Sequence, residues 1–291
     1  MTHRLFACLA LASALCGCST SAPSAPAQTS TEAIPGIPPM ASIRGYVADT
    51  GFRPIAGTTV VVVDGPQAGT AATSDATGQF SLTGPFARAT KFRASQPDHR
   101  DITETATAYC QGDTCFGNLF FYLPVLSANA DVSGEYTVTF EADPACPDLP
   151  AAARARTYRA TVTPNPKVSA GASVSVTLRD APFLGNYNQF TIGVAGDYLA
   201  LDMGGGEIPA VEQLSANTYL AFGGSGGTTL VSGLPIVMPL DGWVEYCSTK
   251  TAMGTSYGCG IDSRTGRPIP DEVVTKATCT SPNHRLTLTR R

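Results

Sequence analysis

Of the side chains equipped for chemistry in this 291-residue chain, the nine cysteines have the most informative spacing. Apart from Cys8, Cys16 and Cys18 near the N-terminus, the chain carries Cys110, Cys115, Cys146, Cys247, Cys259 and Cys279. In an exported chain, six cysteines imply a disulfide framework with about 15 formal pairings. Cys110 and Cys115 share one short loop, AYCQGDTCFG, and form the simplest local staple. Zinc is the competing use, but no CxxC pair and no suitably spaced histidine accompanies these cysteines, so no metal is expected.

Histidine and carboxylate offer less. Beyond His3 there are His99 and His284, and a catalytic imidazole needs a nucleophile and a carboxylate converging on it. The chain has no G-x-S-x-G elbow and no HExxH pair. His284, in PNHRLTLTRR at the start of the last strand, fits a side chain that hydrogen-bonds a loop at a barrel mouth. Asp197 with Asp202, and Asp241 with Glu245, are the carboxylate pairs to weigh. Glycosidase chemistry holds such groups about 5–9 Å apart in a cleft, whereas in β-proteins they are mostly turn formers or solvated strand faces. The glycine runs Gly204–Gly206 and Gly223–Gly227 open no helix and are not phosphate cradles. The second lies between TYLAF and TTLVSG and is expected to form a flexible hairpin tip. DATGQ and DTGFR are turns with too few oxygen ligands for calcium. No enzyme activity and no cofactor are expected.

Aromatic side chains are what remain. Trp243, Tyr246 and Tyr257 crowd the Cys247–Cys259 region, WVEYCSTKTAMGTSYGCG, and are the ligand-binding candidates. Exposed, they stack on a sugar ring or line a barrel mouth; buried, they fill a core with their polar tips satisfied. In a strand, Trp243 and Glu245 share a face and Tyr246 points to the other.

The elements that must position these groups are strands. SIRGYVAD, TTVVVVDG, GQFSLTG, GNLFFYLP, GEYTVTFEA, RTYRATVTP and VSVTLRD alternate apolar with polar between Gly, Pro, Asn and Asp punctuation. Only AAARAR, a turn or two long, has helical character. The fold class is therefore all-β. Charged residues make up 14% of the chain, well under the usual quarter. Without Arg4 the balance is 18 basic against 23 acidic residues, which excludes the concentrated basic face of a nucleic-acid binder.

The N-terminus supplies the address. Arg4 precedes an apolar stretch, Leu5 to Leu15, that is too short to span a bilayer, so residues 1–17 form a signal peptide. Leu15-Cys16-Gly17-Cys18 resembles the lipobox of bacterial lipoproteins, with Cys16 an unusual occupant of its second place. The resemblance implies lipidation at Cys18 and a membrane held through that anchor. Ser19, rather than Asp, implies the outer membrane of a Gram-negative cell. Ordinary cleavage after a nearby small residue is the alternative and would release a soluble protein. Residues 18–40 are Ser-, Ala- and Pro-rich and form an extended tether.

Two domains follow. In residues 41–126, Pro54-Ile-Ala-Gly57 and the later Asp75-Ala-Thr-Gly78-Gln-Phe80 resemble the carboxypeptidase regulatory-like domain, with Asp98-His99 where that family has Gly-Tyr. The resemblance implies a small prealbumin-like β-sandwich, grouped with carbohydrate-binding-like folds and non-catalytic, a stabiliser or adaptor. Residues 130–291 look like a lipocalin-like module of secreted bacterial proteins, an antiparallel up-and-down β-barrel. In such a barrel Cys146, after the first strand, and Cys279, before the last, lie at one end, and their bridge fastens the seam. That leaves Cys247 with Cys259, within one loop. Asp262 to Ala277 fits either an insertion or a strand.

The leading expectation is a non-enzymatic envelope lipoprotein whose barrel binds a carbohydrate or apolar small ligand, with the sandwich as spacer. The alternatives are a structural or adhesive surface protein with protein partners, or a hydrolase with a hidden site. A hollow, aromatic-lined barrel favours the first, an interior packed with Val, Leu and Phe the second, and a buried carboxylate pair in a cleft the third.

Overall fold

The computed structural model describes residues 38–165, 172–184, 187–203, 210–249 and 273–291. Its first eight strands are β1 (Met40–Asp49), β2 (Thr59–Val62), β3 (Ala71–Thr73), β4 (Gln79–Phe86), β5 (Lys91–Ser95), β6 (Ile102–Thr105), β7 (Thr107–Gln111) and β8 (Thr114–Leu123). They form two four-stranded sheets, β4-β1-β8-β7 and β3-β2-β5-β6. The alternation that marks these strands puts Ile43, Val47, Val60, Phe80, Phe92 and Phe121 in one core between the sheets. β1 and β8 run parallel, and the remaining pairs are antiparallel. The turn before Phe80 is held by Asp75, whose Oδ1 accepts from the backbone of Thr77 (2.8 Å) and Gln79 (3.0 Å).

Then come β9 (Gly134–Glu141), α1 (Ala151–Arg154), β10 (Ala155–Pro164), β11 (Ser173–Arg179), β12 (Gln189–Ala195) and β13 (Tyr198–Met203). The last four strands are β14 (Ala210–Ser215), β15 (Thr218–Thr229), β16 (Ile236–Thr249) and β17 (Val273–Arg290). Sequential hairpins run from β9 to β13, β13 pairs with β15, and β17 returns to pair with β9. Eight strands thus close an up-and-down antiparallel barrel, with β14 as an arm on the first half of β15. Inside, Val138, Phe140, Val162, Val176, Ile192, Leu201, Phe222, Met238 and Leu286 belong to one continuous cluster. The outward positions of β9 to β11 carry Thr139, Glu141, Arg159, Thr161 and Thr177. Apolar inside and polar outside is the reverse of a membrane-spanning barrel.

One expectation needs correction. Gly223–Gly227 is not a hairpin tip: β15 runs through it unbroken, and the turn lies beyond, at residues 230–235. The glycines are there because β15 is hemmed by β13 and β16. A Cβ at Gly226 would stand 2.0 Å from the carbonyl oxygen of Pro239.

The sandwich docks on the barrel. Thr50, after β1, donates its hydroxyl to the carbonyl of Val194 on β12. The guanidinium of Arg53 lies 4.4 Å from the ring centroid of Tyr198 and is held by Asp49 at 2.7 Å. Gly193 makes this approach feasible, since a Cβ there would sit 2.3 Å from the Thr50 carbonyl oxygen.

Two of the expected disulfides are present, Cys110–Cys115 across the β7–β8 hairpin and Cys146–Cys279 beside the β9–β17 seam. Cys247 is buried and disulfide-bonded; Cys259 lies outside the described residues. Because Cys146 and Cys279 are 133 residues apart, their bridge constrains a large part of the unfolded chain. Replacing both by alanine is expected to cost about 2–4 kcal/mol, measured as a lower urea midpoint with the barrel's β-signature intact at zero urea.

Candidate functional site

Trp243 and Tyr246 do not converge. Alternation along β16 sends Tyr246 toward the main barrel core, while Trp243 packs on the opposite face with Tyr219, Val211 and Cys247. Both are half-buried, and Tyr257 lies outside the described residues. Asp241 is exposed, and Glu245 is tied to Lys276 at 2.9 Å. Asp197 sits in the β12–β13 turn and Asp202 on the exposed side of β13.

Where β9 ends, the fold collects a cluster that the sequence did not reveal. Asp143 accepts from the Ser281 hydroxyl, from the Ala145 backbone at 2.8 Å and from Asn283 Nδ2 at 3.2 Å. These donors, Ser281 foremost, hold its carboxyl below the ordinary range. His284 is fully buried, and its Nδ1 accepts the Asp143 backbone N–H at 2.9 Å. That fixes the proton on Nε2. This nitrogen meets no acceptor in hydrogen-bonding geometry, although the Cys279 and Gly242 carbonyls lie toward it. Burial pushes the imidazole below its usual value, and the nearby Cys279 carbonyl and Asp143 oppose the shift only in part.

Ser, His and Asp are therefore neighbours, but wired against nucleophilic catalysis. A triad needs the hydroxyl on one imidazole nitrogen and the carboxylate on the other. Here the serine proton goes to the carboxylate, and the imidazole takes a backbone amide. Cys146, Cys279 and His284 also bring ligand-type atoms within 4.8 Å of one another. Both sulfurs are spent in the disulfide, so neither offers the thiolate that a metal requires.

A second buried polar group pins β14 to the barrel. Glu212, with its side chain 2% exposed, receives Arg156 Nε at 2.8 Å on one oxygen and Arg156 Nη2 on the other. The Tyr158 hydroxyl donates to it at 2.8 Å. Burial, then the adjacent carboxylate, push the Tyr158 phenol far up, so it holds its proton. A carboxylate so occupied is a structural anchor and a poor general base.

No protein-family model, curated protein or solved structure matches the chain.

Exposed aromatic rings gather on one face of the sandwich. The outward positions of β8 are Thr114, Phe116, Asn118, Phe120 and Tyr122, and the register sets Tyr109 of β7 beside Phe116, Tyr46 of β1 beside Phe120, and Arg44 and Thr107 beside Asn118 between them. Tyr109 and Phe116 have ring centroids 5.6 Å apart, and Phe52 packs edge-on against Tyr122 at 5.9 Å. Phe120 is 56% exposed, Tyr122 46%, Tyr109 41% and Phe52 39%. The strand GNLFFYLP was legible, but which face meets water depends on the sheet it joins. At the far end of the barrel, a cleft of about 480 Å³ opens between the β15–β16 turn and the start of β9. It is lined by Val132, Tyr136, Leu234, Ile236 and Leu288, with Arg290 at its rim donating to the Ser133 carbonyl.

Two outcomes follow from the buried groups. Arg156→Leu strands the Glu212 charge and is expected to cost about 3–5 kcal/mol in urea unfolding. His284 has a lowered folded value, so the unfolded chain binds more protons as pH falls below its ordinary 6.5. Its stabilising contribution is complete above that pH and is lost as pH drops toward the folded value. Tm should therefore decline between about pH 7 and pH 5, and His284→Gln, which retains an acceptor but does not titrate, should flatten that decline.

Proposed function

We propose that the chain is an exported, non-enzymatic surface protein of structural or adhesive type. On this reading Cys18 carries the lipid anchor, the Pro-rich tether lifts the body off the outer membrane, and the sandwich's aromatic sheet face meets a protein partner. The observation that carries it is the distribution of apolar side chains. In the barrel most of them point inward and pack against one another, with Val231, Leu234, Val237 and Val274 the exposed exceptions, whereas Tyr46, Tyr109, Phe116, Phe120 and Tyr122 share an outer sheet face on which Tyr109, Phe120 and Tyr122 are exposed. Aromatic residues are enriched at protein interfaces, and here they flank a polar row of Arg44, Asn118 and Thr107 on the same sheet face. The resemblance of residues 41–126 to the carboxypeptidase regulatory-like domain, an adaptor module, points the same way.

A second reading, in which the C-terminal barrel binds a carbohydrate or apolar small ligand and the sandwich is a spacer, rests on the cleft beside Leu234 and Ile236. Native mass spectrometry of the lipidated protein, gently extracted from its own envelope, separates the two. The proposal expects a protein-sized complex for the wild type that is lost in Phe120→Ser/Tyr122→Ser, with Tm changed by no more than a few degrees. A reproducible small added mass, kept in that variant and removed by denaturation, would establish the ligand carrier instead. Metabolic labelling with palmitate in the same cells should mark the wild type and not Cys18→Ala.

A further inference from the structure

The Cys110–Cys115 bridge differs from its seam counterpart in access and in charge. Cys110 is exposed at the end of β7, and Cys115, directly opposite on β8, is buried. The β4–β5 turn lays Arg88 over the bridge, with Nη2 3.1 Å from Cys110 Sγ and 3.6 Å from Cys115 Sγ. The Nε of Arg88 is buried without a hydrogen-bond partner, and the guanidinium joins no ion pair among the described residues. A half-buried cation facing two sulfurs and no carboxylate is poorly used by a permanently oxidised bridge. It is well used when negative charge develops on sulfur. Cys146–Cys279 has the opposite setting: one sulfur is buried and the other half-buried beside His284, and among the described residues no guanidinium hydrogen-bonds to either sulfur.

We propose that Cys110–Cys115 is a thiol–disulfide exchange site, reduced by an external dithiol and re-formed by the corresponding external disulfide, while the barrel bridge stays closed. The attacking thiolate of the dithiol forms a bond to Cys110 Sγ, the Cys110–Cys115 bond breaks, and the electron pair leaves on Cys115 Sγ beside Arg88. The dithiol's second thiolate then attacks its own sulfur in the mixed disulfide, forming the external disulfide and releasing Cys110 as a thiolate. Two electrons pass from the dithiol to the protein, and each protein thiolate takes up a proton once Arg88 no longer holds the charge. Exposure of Cys110 sets where attack occurs, and the guanidinium lowers the cost of the leaving thiolate.

The test uses the folded, oxidised mature protein and dithiothreitol as the dithiol. Timed samples are quenched with N-ethylmaleimide and each cysteine is read by peptide mass mapping. Cys110 and Cys115 are expected to label at least about tenfold faster than Cys146 and Cys279, with circular dichroism unchanged. Arg88→Met should slow that reduction by about tenfold and Arg88→Lys should recover part of the loss. Simultaneous or reversed opening of the two bridges overturns the proposal, as does an Arg88→Met variant that is reduced at the wild-type rate. If Arg88→Met fails to fold, the order of opening in the wild type still decides.

Discussion

The pairing of β9 with β17 is the contact on which the C-terminal half depends. Leu286 lies opposite Phe140 and Leu288 opposite Val138, so the register that joins the first barrel strand to the last also completes the inward apolar face. A slip by one residue would turn Thr287 and Thr289 inward and expel the leucines. Closure removes both sheet edges at once, and with them the unpaired backbone groups that invite aggregation. The Cys146–Cys279 bridge and the Asp143, Ser281 and His284 contacts all stand beside this seam. They tie the ends of the first and last barrel strands together where the barrel shuts.

A filled barrel has consequences for function. Phe140 and Phe222 stack with centroids 4.4 Å apart, inside the lumen that a ligand carrier would keep open. Among the described residues two surface features differ in kind: an aromatic-bearing sheet face on the sandwich and a confined cleft at one barrel end. The sandwich is set against β12 and β13 through Thr50, Arg53 and Gly193, which orients its aromatic face relative to the barrel.

Much of the architecture was legible because β-sheet physics is periodic. Alternation in GEYTVTFEA and RTYRATVTP announced strands with one wet and one dry face, and the positions of Cys146 and Cys279 anticipated the seam bridge. What escaped depends on contacts between distant segments. Arg156 and Glu212 are 56 residues apart, and Asp143 and Ser281 are 138 apart, with no spacing rule to join them. Gly223–Gly227 misled because local composition signals a turn, whereas the glycines answer to backbone crowding from Met203, Pro239 and Asp241. Trp243 and Tyr246 drew attention by rarity, yet strand parity sends them to opposite faces. The exposed ring set is built across three strands and a loop, so no single segment displays it.

Closure of the barrel is tested most directly by native-state hydrogen exchange of the mature protein, followed by mass spectrometry at single-peptide resolution. A closed barrel predicts that amides of Glu135–Glu141 and Arg285–Arg290 exchange as slowly as those in the middle of β10 and β11, because each strand is bonded on both sides. Exchange of β9 and β17 at the fast rate of edge strands, with β10 and β11 still protected, would contradict closure and reopen the lumen as a binding site.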